Sequence, residues 1–211
     1  MRQQDCSVVT DYGGNKFGGL YDVAIGVNDE VVIVDGTNNC VIVLDSCLAL
    51  LSVIGQGSDE VIPYGVAVSK DDIIAVSYWS SSYQVKKYFL QGKLLSVIGN
   101  NRGSNNGQFN RPSGLAFSSN KMLCVVDRWN YRVQVFQQDD KFAFTFGIVK
   151  GNFNPGQFQD PIRIAIDTDN RVLVSDCDGN HISLFSHTGS FIRRITCDSP
   201  WAITLALMVT S

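Results

Sequence analysis

The sequence predicts an all-β chain built as a propeller of four-stranded blades. Three observations carry that prediction. Residues 107–147 hold four short apolar runs, at 114–117, 122–126, 133–136 and 142–146, each parted from the next by polar or glycine-containing turns. Runs of this length, rich in Val, Phe and Leu, read as strands, and four antiparallel strands in one such stretch make a blade. The pattern then repeats at a fixed period. Pro112 and Pro161, Asp127 and Asp176, Val133 and Ile182, and Phe136 and Phe185 are each 49 residues apart. A period of this size is the mark of propellers and solenoids. Finally, the 211 residues are 45% hydrophobic and 18% charged, enough apolar side chain for a packed repeat array and not the composition of a disordered chain.

Taken in order, residues 6–14 read as the last strand of a partial blade. The first full repeat, about 17–55, has strands at 23–27, 31–34, 41–44 and 50–54, with Leu20 and Tyr21 where later repeats have Pro. The second, 56–99, opens with Pro63 and places strands at 66–68, 73–76, 84–89 and 94–98; Ser77 stands where an Asp is expected, followed by Tyr78 and Trp79. The third is 107–147 and the fourth 156–195. The polar, glycine-bearing connectors before them keep the period, so they read as loops between blades of one domain, 1–211. Residues 200–210 read as a partial blade, with Pro200 leading into an inner strand at 202–204.

The Gly107-Gln108-Phe109 opening, the Arg111-Pro112 step, Gly114-Leu115-Ala116, Val125-Val126-Asp127, the turn with Asn130 and Arg132, and the closing Phe146-Gly147 resemble the NHL repeat. The resemblance is greatest to the propeller of tripartite-motif (TRIM-NHL) ubiquitin ligases. It implies an NHL-type six-bladed ring, of which this chain supplies four blades and partial blades at both ends. It further implies a non-enzymatic platform that recruits a protein or an RNA, single-stranded or stem-loop. Ligase activity would need a RING domain, which this chain lacks, so a RING, B-box and coiled-coil part of a longer protein is an implied partner.

Formal charge is −3, which argues against a dedicated nucleic-acid binder taken whole. The distribution is uneven: residues 1–99 carry a net −5 and residues 100–196 a net +3. Six cysteines lie at 6, 40, 47, 124, 177 and 197 with no Cys-x-x-Cys pair, so no zinc site or other cofactor is indicated and buried free thiols are expected. The N-terminus has no signal-peptide core, and the apolar run at 201–209 is far short of the roughly 20 residues of a membrane helix. A cytoplasmic chain with no membrane contact is the expectation.

Strand order in an up-and-down blade sorts the loops between two faces. The loops leading into the first strand and joining the second to the third share one side, the upper face here. That face gathers Tyr64, Tyr78 and Trp79, then Arg111, Ser113, Arg128, Trp129 and Tyr131, then Arg163, as candidate partner- or RNA-binding residues. Arg with aromatic side chains suits protein hot spots and stacked bases. The bland alternative has Arg132 and Arg163 pairing with blade carboxylates such as Asp127 and Asp176. The other face holds most of the paired acids, Asp29-Glu30, Asp71-Asp72 and Asp139-Asp140.

Asp35, Asp127 and Asp176 each end a second strand before a tight turn, and Asn130 sits in one such turn. Their repetition reads as fold maintenance, since Asp side chains accept turn N–H groups. Phe109 and Phe158 read as plugs between neighbouring blades, and Gly114 as a residue that lets inner strands crowd the axis. His181 and His187 have no nucleophile at triad spacing, and His181 is expected to be exposed. No catalytic or metal residue is indicated. The rival reading is a calcium-dependent, lactonase-like propeller hydrolase, which Glu30 and Glu60, the only glutamates, supply poorly.

Overall fold

The computed structural model describes residues 11–55, 62–79, 83–147 and 154–205. Four antiparallel four-stranded sheets follow one another as blades of a propeller. The first blade is β3 (Leu20–Ile25), β4 (Val31–Asp35), β5 (Cys40–Leu44) and β6 (Leu50–Ile54). The second is β7 (Pro63–Val68), β8 (Ile73–Tyr78), β9 (Val85–Phe89) and β10 (Leu94–Ile98). The third is β11 (Pro112–Phe117), β12 (Leu123–Asp127), β13 (Arg132–Phe136) and β14 (Phe142–Phe146). The fourth is β15 (Pro161–Ile166), β16 (Val172–Asp176), β17 (His181–Phe185) and β18 (Phe191–Thr196). Among the described residues, no helix is long and apolar enough to cross a membrane.

Inner strands begin two or three residues before their apolar runs. In each, the first residue pairs with the end of the second strand: Leu20 with Asp35, Pro63 with Tyr78, Pro112 with Asp127 and Pro161 with Asp176. A bulge follows at once in every case. Proline suits this place because a strand's first residue need not donate to the ladder. The register also corrects the second repeat. Tyr78, and not Ser77, occupies the Asp position.

Blades pack face to face through clusters that alternate residues supply. Phe109, fully buried, joins Ala75, Val85 and Ile98 of the second blade to Leu123 and Val125 of the third. Phe158 sits in the same way among Val126, Val133, Val174 and Phe185 between the third and fourth. Near the axis, hydrogen bonds tie each blade to the next. Val66 N–H donates to Asp22 Oδ2 at 3.0 Å, Ser77 Oγ to the Ser113 carbonyl at 2.7 Å, and Ser113 Oγ to the Ile162 carbonyl at 3.0 Å. A Cβ on Gly114 would lie 2.8 Å from the Ile162 oxygen and from the Arg163 Cα, so only glycine admits this approach.

Two expectations change at the ends. Asp11–Tyr12 (β1) pairs with Asn15–Lys16 (β2) in a separate two-stranded hairpin, whose Tyr12 packs with Phe17 on the outer part of the first blade, beside Cys40 and Ile42. Residues 6–10 of the expected strand lie outside the described residues. Residues 200–205 form no strand; Trp201, Ala202 and Ile203 run beside the cleft between the first and fourth blades, and 206–210 lie outside the described residues.

Candidate functional site

The upper face is positioned by the turn aspartates. Asp127 is fully buried and accepts from Asn110 N–H at 2.7 Å, Asn130 Nδ2 at 2.8 Å, Arg132 Nε at 2.9 Å and Gln134 Nε2 at 3.1 Å. It thereby ties the loop before β11 to the turn after β12, a short 3-10 segment, Arg128–Asn130. Backbone bonds complete the tie, Trp129 N–H to the Asn110 carbonyl at 3.0 Å and Arg128 N–H to that of Arg111 at 3.3 Å. Asp176 accepts from Gln159 and Asp160 N–H, both at 2.7 Å, and Asp35 from Gly18 N–H at 2.7 Å and Asn38 N–H at 2.9 Å.

Six expected residues meet in one ladder on this face. Tyr64 and Trp79 stack with centroids 3.5 Å apart and planes 16° off parallel. The Arg111 guanidinium lies 3.7 Å from the Trp129 ring and 5.2 Å from that of Trp79, so it bridges the two indoles. Arg128 lies 5.5 Å from the Trp79 ring, and Arg163 lies 4.8 Å from that of Tyr64. Two residues that sequence reasoning missed extend the ladder. Tyr21 meets Tyr64 at 5.7 Å, and Arg102 lies 5.9 Å from the Trp129 ring. The signal for both was present: Tyr21 follows Leu20, which stands at the first position of β3 where the other inner strands have Pro, and Arg102 is the basic residue of a polar connector.

Charge is unevenly available along the ladder. Arg128 grips Asp160 through two hydrogen bonds, with Nη2 to Oδ2 at 2.7 Å, and this pairing raises its pKa. Arg163 Nε is 3.9 Å from Asp22 Oδ1, and its Nη2 donates to the Tyr21 carbonyl at 2.7 Å. Arg163 thus pairs with Asp22 and not with Asp176. Burial pushes the Asp22 carboxyl above its ordinary pKa against the opposing pull of Arg163. Asp22, Gly65, Gly114 and Arg163 each fall two residues after the start of their inner strand. The two middle blades therefore carry glycine there, while the first and fourth face each other with opposite charges.

Two candidates are buried, and a third is partly buried. Tyr78 is buried, its hydroxyl 2.9 Å from that of Tyr88, because it ends β8 and points between blades. Ser113 is fully buried by its bond to the Ile162 carbonyl. Tyr131, in the left-handed C-terminal turn of the 3-10 segment, packs against the cluster between the third and fourth blades. His181 is buried, against expectation, since it occupies the register position of Arg132: it pairs with Asp176 as Arg132 pairs with Asp127, with Nε2 3.6 Å from the carboxylate.

On the lower face, Asp71 meets Lys121 at 2.7 Å, Asp139 meets Lys141 at 2.7 Å, and Asp140 meets Lys87. Glu30 caps its own turn by accepting from Asn28 N–H at 3.0 Å, and hydrogen bonds from its own backbone N–H first, and then from Asn28, lower its pKa; Glu60 lies outside the described residues. Among the described residues, Asp160, Cys177 and Asp178 form the one group with metal-ligand spacing, and Asp160 is already held by Arg128.

Residues 109–136 match the family model described as NHL repeat. The chain is 30% identical over 90 residues to Protein brain tumor of Drosophila melanogaster, a match over 42% of this chain and 8% of that protein. It is 28% identical over 119 residues to the E3 ubiquitin-protein ligase TRIM32 of Mus musculus, over 49% of this chain and 17% of that protein. The chain thus spans less than a fifth of these relatives' length. Among solved structures, virginiamycin B lyase from Staphylococcus aureus superposes with a TM-score of 0.66 at 13% identity, covering 87% of this chain and 57% of that one. That likeness is one of fold.

Proposed function

We propose that this NHL-repeat β-propeller is a non-enzymatic binding platform whose upper face recruits a protein target. One observation carries the reading: Tyr64, Trp79, Arg111 and Trp129 form a preorganised ladder, whose Arg111 and Trp129 sit on loops that Asp127 ties together beneath them. Trp, Tyr and Arg are the residue types that dominate protein hot spots. Rigid aromatic side chains lose little entropy on binding. Of the four arginines along the ladder, Arg128 and Arg163 face carboxylates of the chain itself. That leaves Arg102 and Arg111 to meet a nucleic-acid backbone, few for a reader that gains affinity by neutralising phosphates. RNA remains the second reading, favoured by the indole of Trp129, which is 40% exposed and open to a stacking base.

The five cysteines among the described residues are free thiols, which fits the reducing, cytoplasmic setting in which we place the platform. Ubiquitin-ligase or translational-regulatory context would come from other parts of a longer protein. The hydrolase alternative finds little support in the carboxylates near the axis, since Asp22 is engaged by Val66 N–H and Arg163.

The test is affinity capture from cell extract by this chain and by its Trp129→Ala variant, with and without nuclease, at low and moderate salt. Nuclease-resistant proteins retained by the parent and lost by the variant are expected. Capture that vanishes with nuclease and falls steeply with salt, roughly one log unit per log unit of salt for each phosphate neutralised, would assign the face to RNA. Equal capture by the variant would remove the ladder from the function.

A further inference from the structure

Arg128 and Arg163 answer to Asp160 and Asp22, but Arg102 and Arg111 face no carboxylate among the described residues. Arg102 is exposed. It lies 5.8 Å from the Tyr83 ring and 5.9 Å from that of Trp129, and its Nε donates to Asn110 Oδ1 at 3.0 Å. The Arg111 side chain donates no hydrogen bond to a described residue. Its nitrogens are not buried either, unlike the unpaired Trp79 Nε1 and Arg163 Nη1, so they reach solvent.

A strained backbone holds Arg111 in place. Its φ is 57°, in the left-handed region that residues with a side chain rarely adopt. A residue before proline is normally extended, and Ile62 and Asp160, which precede Pro63 and Pro161, have no positive φ. The blade itself therefore does not impose the strain. Here it accompanies a guanidinium set 3.7 Å over the Trp129 ring and 5.2 Å from that of Trp79. Backbone outliers of this kind cluster at binding sites.

We propose that Arg111 and Arg102 form a carboxylate-binding fork, and that the protein segment recruited by the ladder carries a short run of Asp or Glu side chains. The inference rests on the platform reading and supplies the charge of the segment. Contact with a ring leaves the N–H fork of a guanidinium available, and that fork matches a carboxylate bidentately. Two points favour carboxylates over an RNA strand. Tyr64 already covers one face of Trp79, and Arg111 one face of Trp129, which reduces the area for stacked bases. At the far end of the ladder, exposed Asp178 has a carboxylate oxygen within 4.8 Å of one of Asp160. Two unpaired cations at one end and this acidic pair at the other suit a short acidic run on the third blade, and repel a polyanion laid along the whole ladder.

The probe is a fluorescein-labelled octapeptide with a central run of Glu, compared with its Gln counterpart and read by anisotropy on the full chain. The Glu peptide is expected to bind about tenfold tighter. Arg111→Gln should remove about that preference, and Arg111→Lys, which keeps the charge without the fork, should recover little of it. Arg102→Gln, at an exposed position, should weaken the Glu peptide several-fold and leave the Gln peptide unchanged; it carries the test if the Arg111 variants do not fold. Equal binding of the two peptides overturns the proposal, as does undiminished binding by folded variants at both arginines. A uridine decamer or a phosphoserine peptide that binds where the Glu peptide does not would reassign the fork to phosphate. Failure here is separable from failure of the platform reading. Extract proteins captured equally by the Trp129→Ala chain sink the platform. Capture that needs Trp129 but survives loss of both arginines sinks the fork alone.

Discussion

Asp127 is a buried carboxylate and Asp22 a half-buried one, and their partners give them different roles. Asp127 is surrounded by donors from its own blade and holds a loop. Asp22 faces across the axis to Arg163 at 3.9 Å, a long pairing, and burial raises its pKa. A raised folded-state pKa means that the native state holds the proton over a pH range where the unfolded chain, near pH 3.9, has lost it. Stability must then fall as pH rises through that range, and the loss is complete once pH passes the folded-state pKa. Asp22→Asn should remove this share of the slope. Urea midpoints followed from pH 4 to 7 check it, and parallel curves for parent and variant would refute it. At this scale the sequence was partly legible. Arg111, Arg128 and Trp129 could be placed because they lie in loops flanking a clear Pro and Asp. Tyr78 and Ser113 were misplaced, the first by one residue of register and the second because its bond to the next blade is visible only in three dimensions. The Asp22–Arg163 pairing was hidden by the first repeat, which lacks Pro and is spaced differently from the others.

At the scale of elements, strands were readable because alternation and turn residues agree along each blade. No strand end shifts by more than three residues, and the largest shifts fall at the starts of inner strands, which begin at the Pro position, Pro63 or Leu20. What the sequence could not supply was the fate of segments with no neighbour to pair with, such as 202–204, whose apolar pattern suits a strand but which lies beside the cleft instead. The inner strands are also where close packing is least forgiving. Gly114 lies against the backbone of β15, and the atoms a Cβ would meet, the Ile162 oxygen and Arg163 Cα, cannot rotate away. Gly114→Ala should destabilise by about 1–3 kcal/mol, the usual cost of overpacking. The midpoint of chemical unfolding measures this. A variant as stable as the parent would mean that β11 and β15 can part without loss.

At the scale of the molecule, each inner strand packs on the next, β3 on β7, β7 on β11 and β11 on β15. Stability in such an array approximates a sum over blades and the interfaces between neighbours. The second and third blades are covered on both faces. The first blade is covered by the second on one face and by the Tyr12–Phe17 hairpin over the outer part of the other. The inner part of that second face is bare: Leu20, Val23, Ile25 and Val27 are each more than half exposed. A contiguous exposed apolar patch on an ordered strand is an association surface. Replacing Ile25 and Val27 by Thr keeps the β-branched shape that the strand favours while removing apolar surface. The double variant should therefore scatter less light at high concentration, with stability changed by only about 0.5 kcal/mol, as for other exposed positions. If it instead lost several times that, the face would be packed in solution against a part of this chain or a second copy. The array would then be closed more fully than its neighbour-to-neighbour contacts imply, and the Arg163–Tyr21 hydrogen bond would mark where the closing begins.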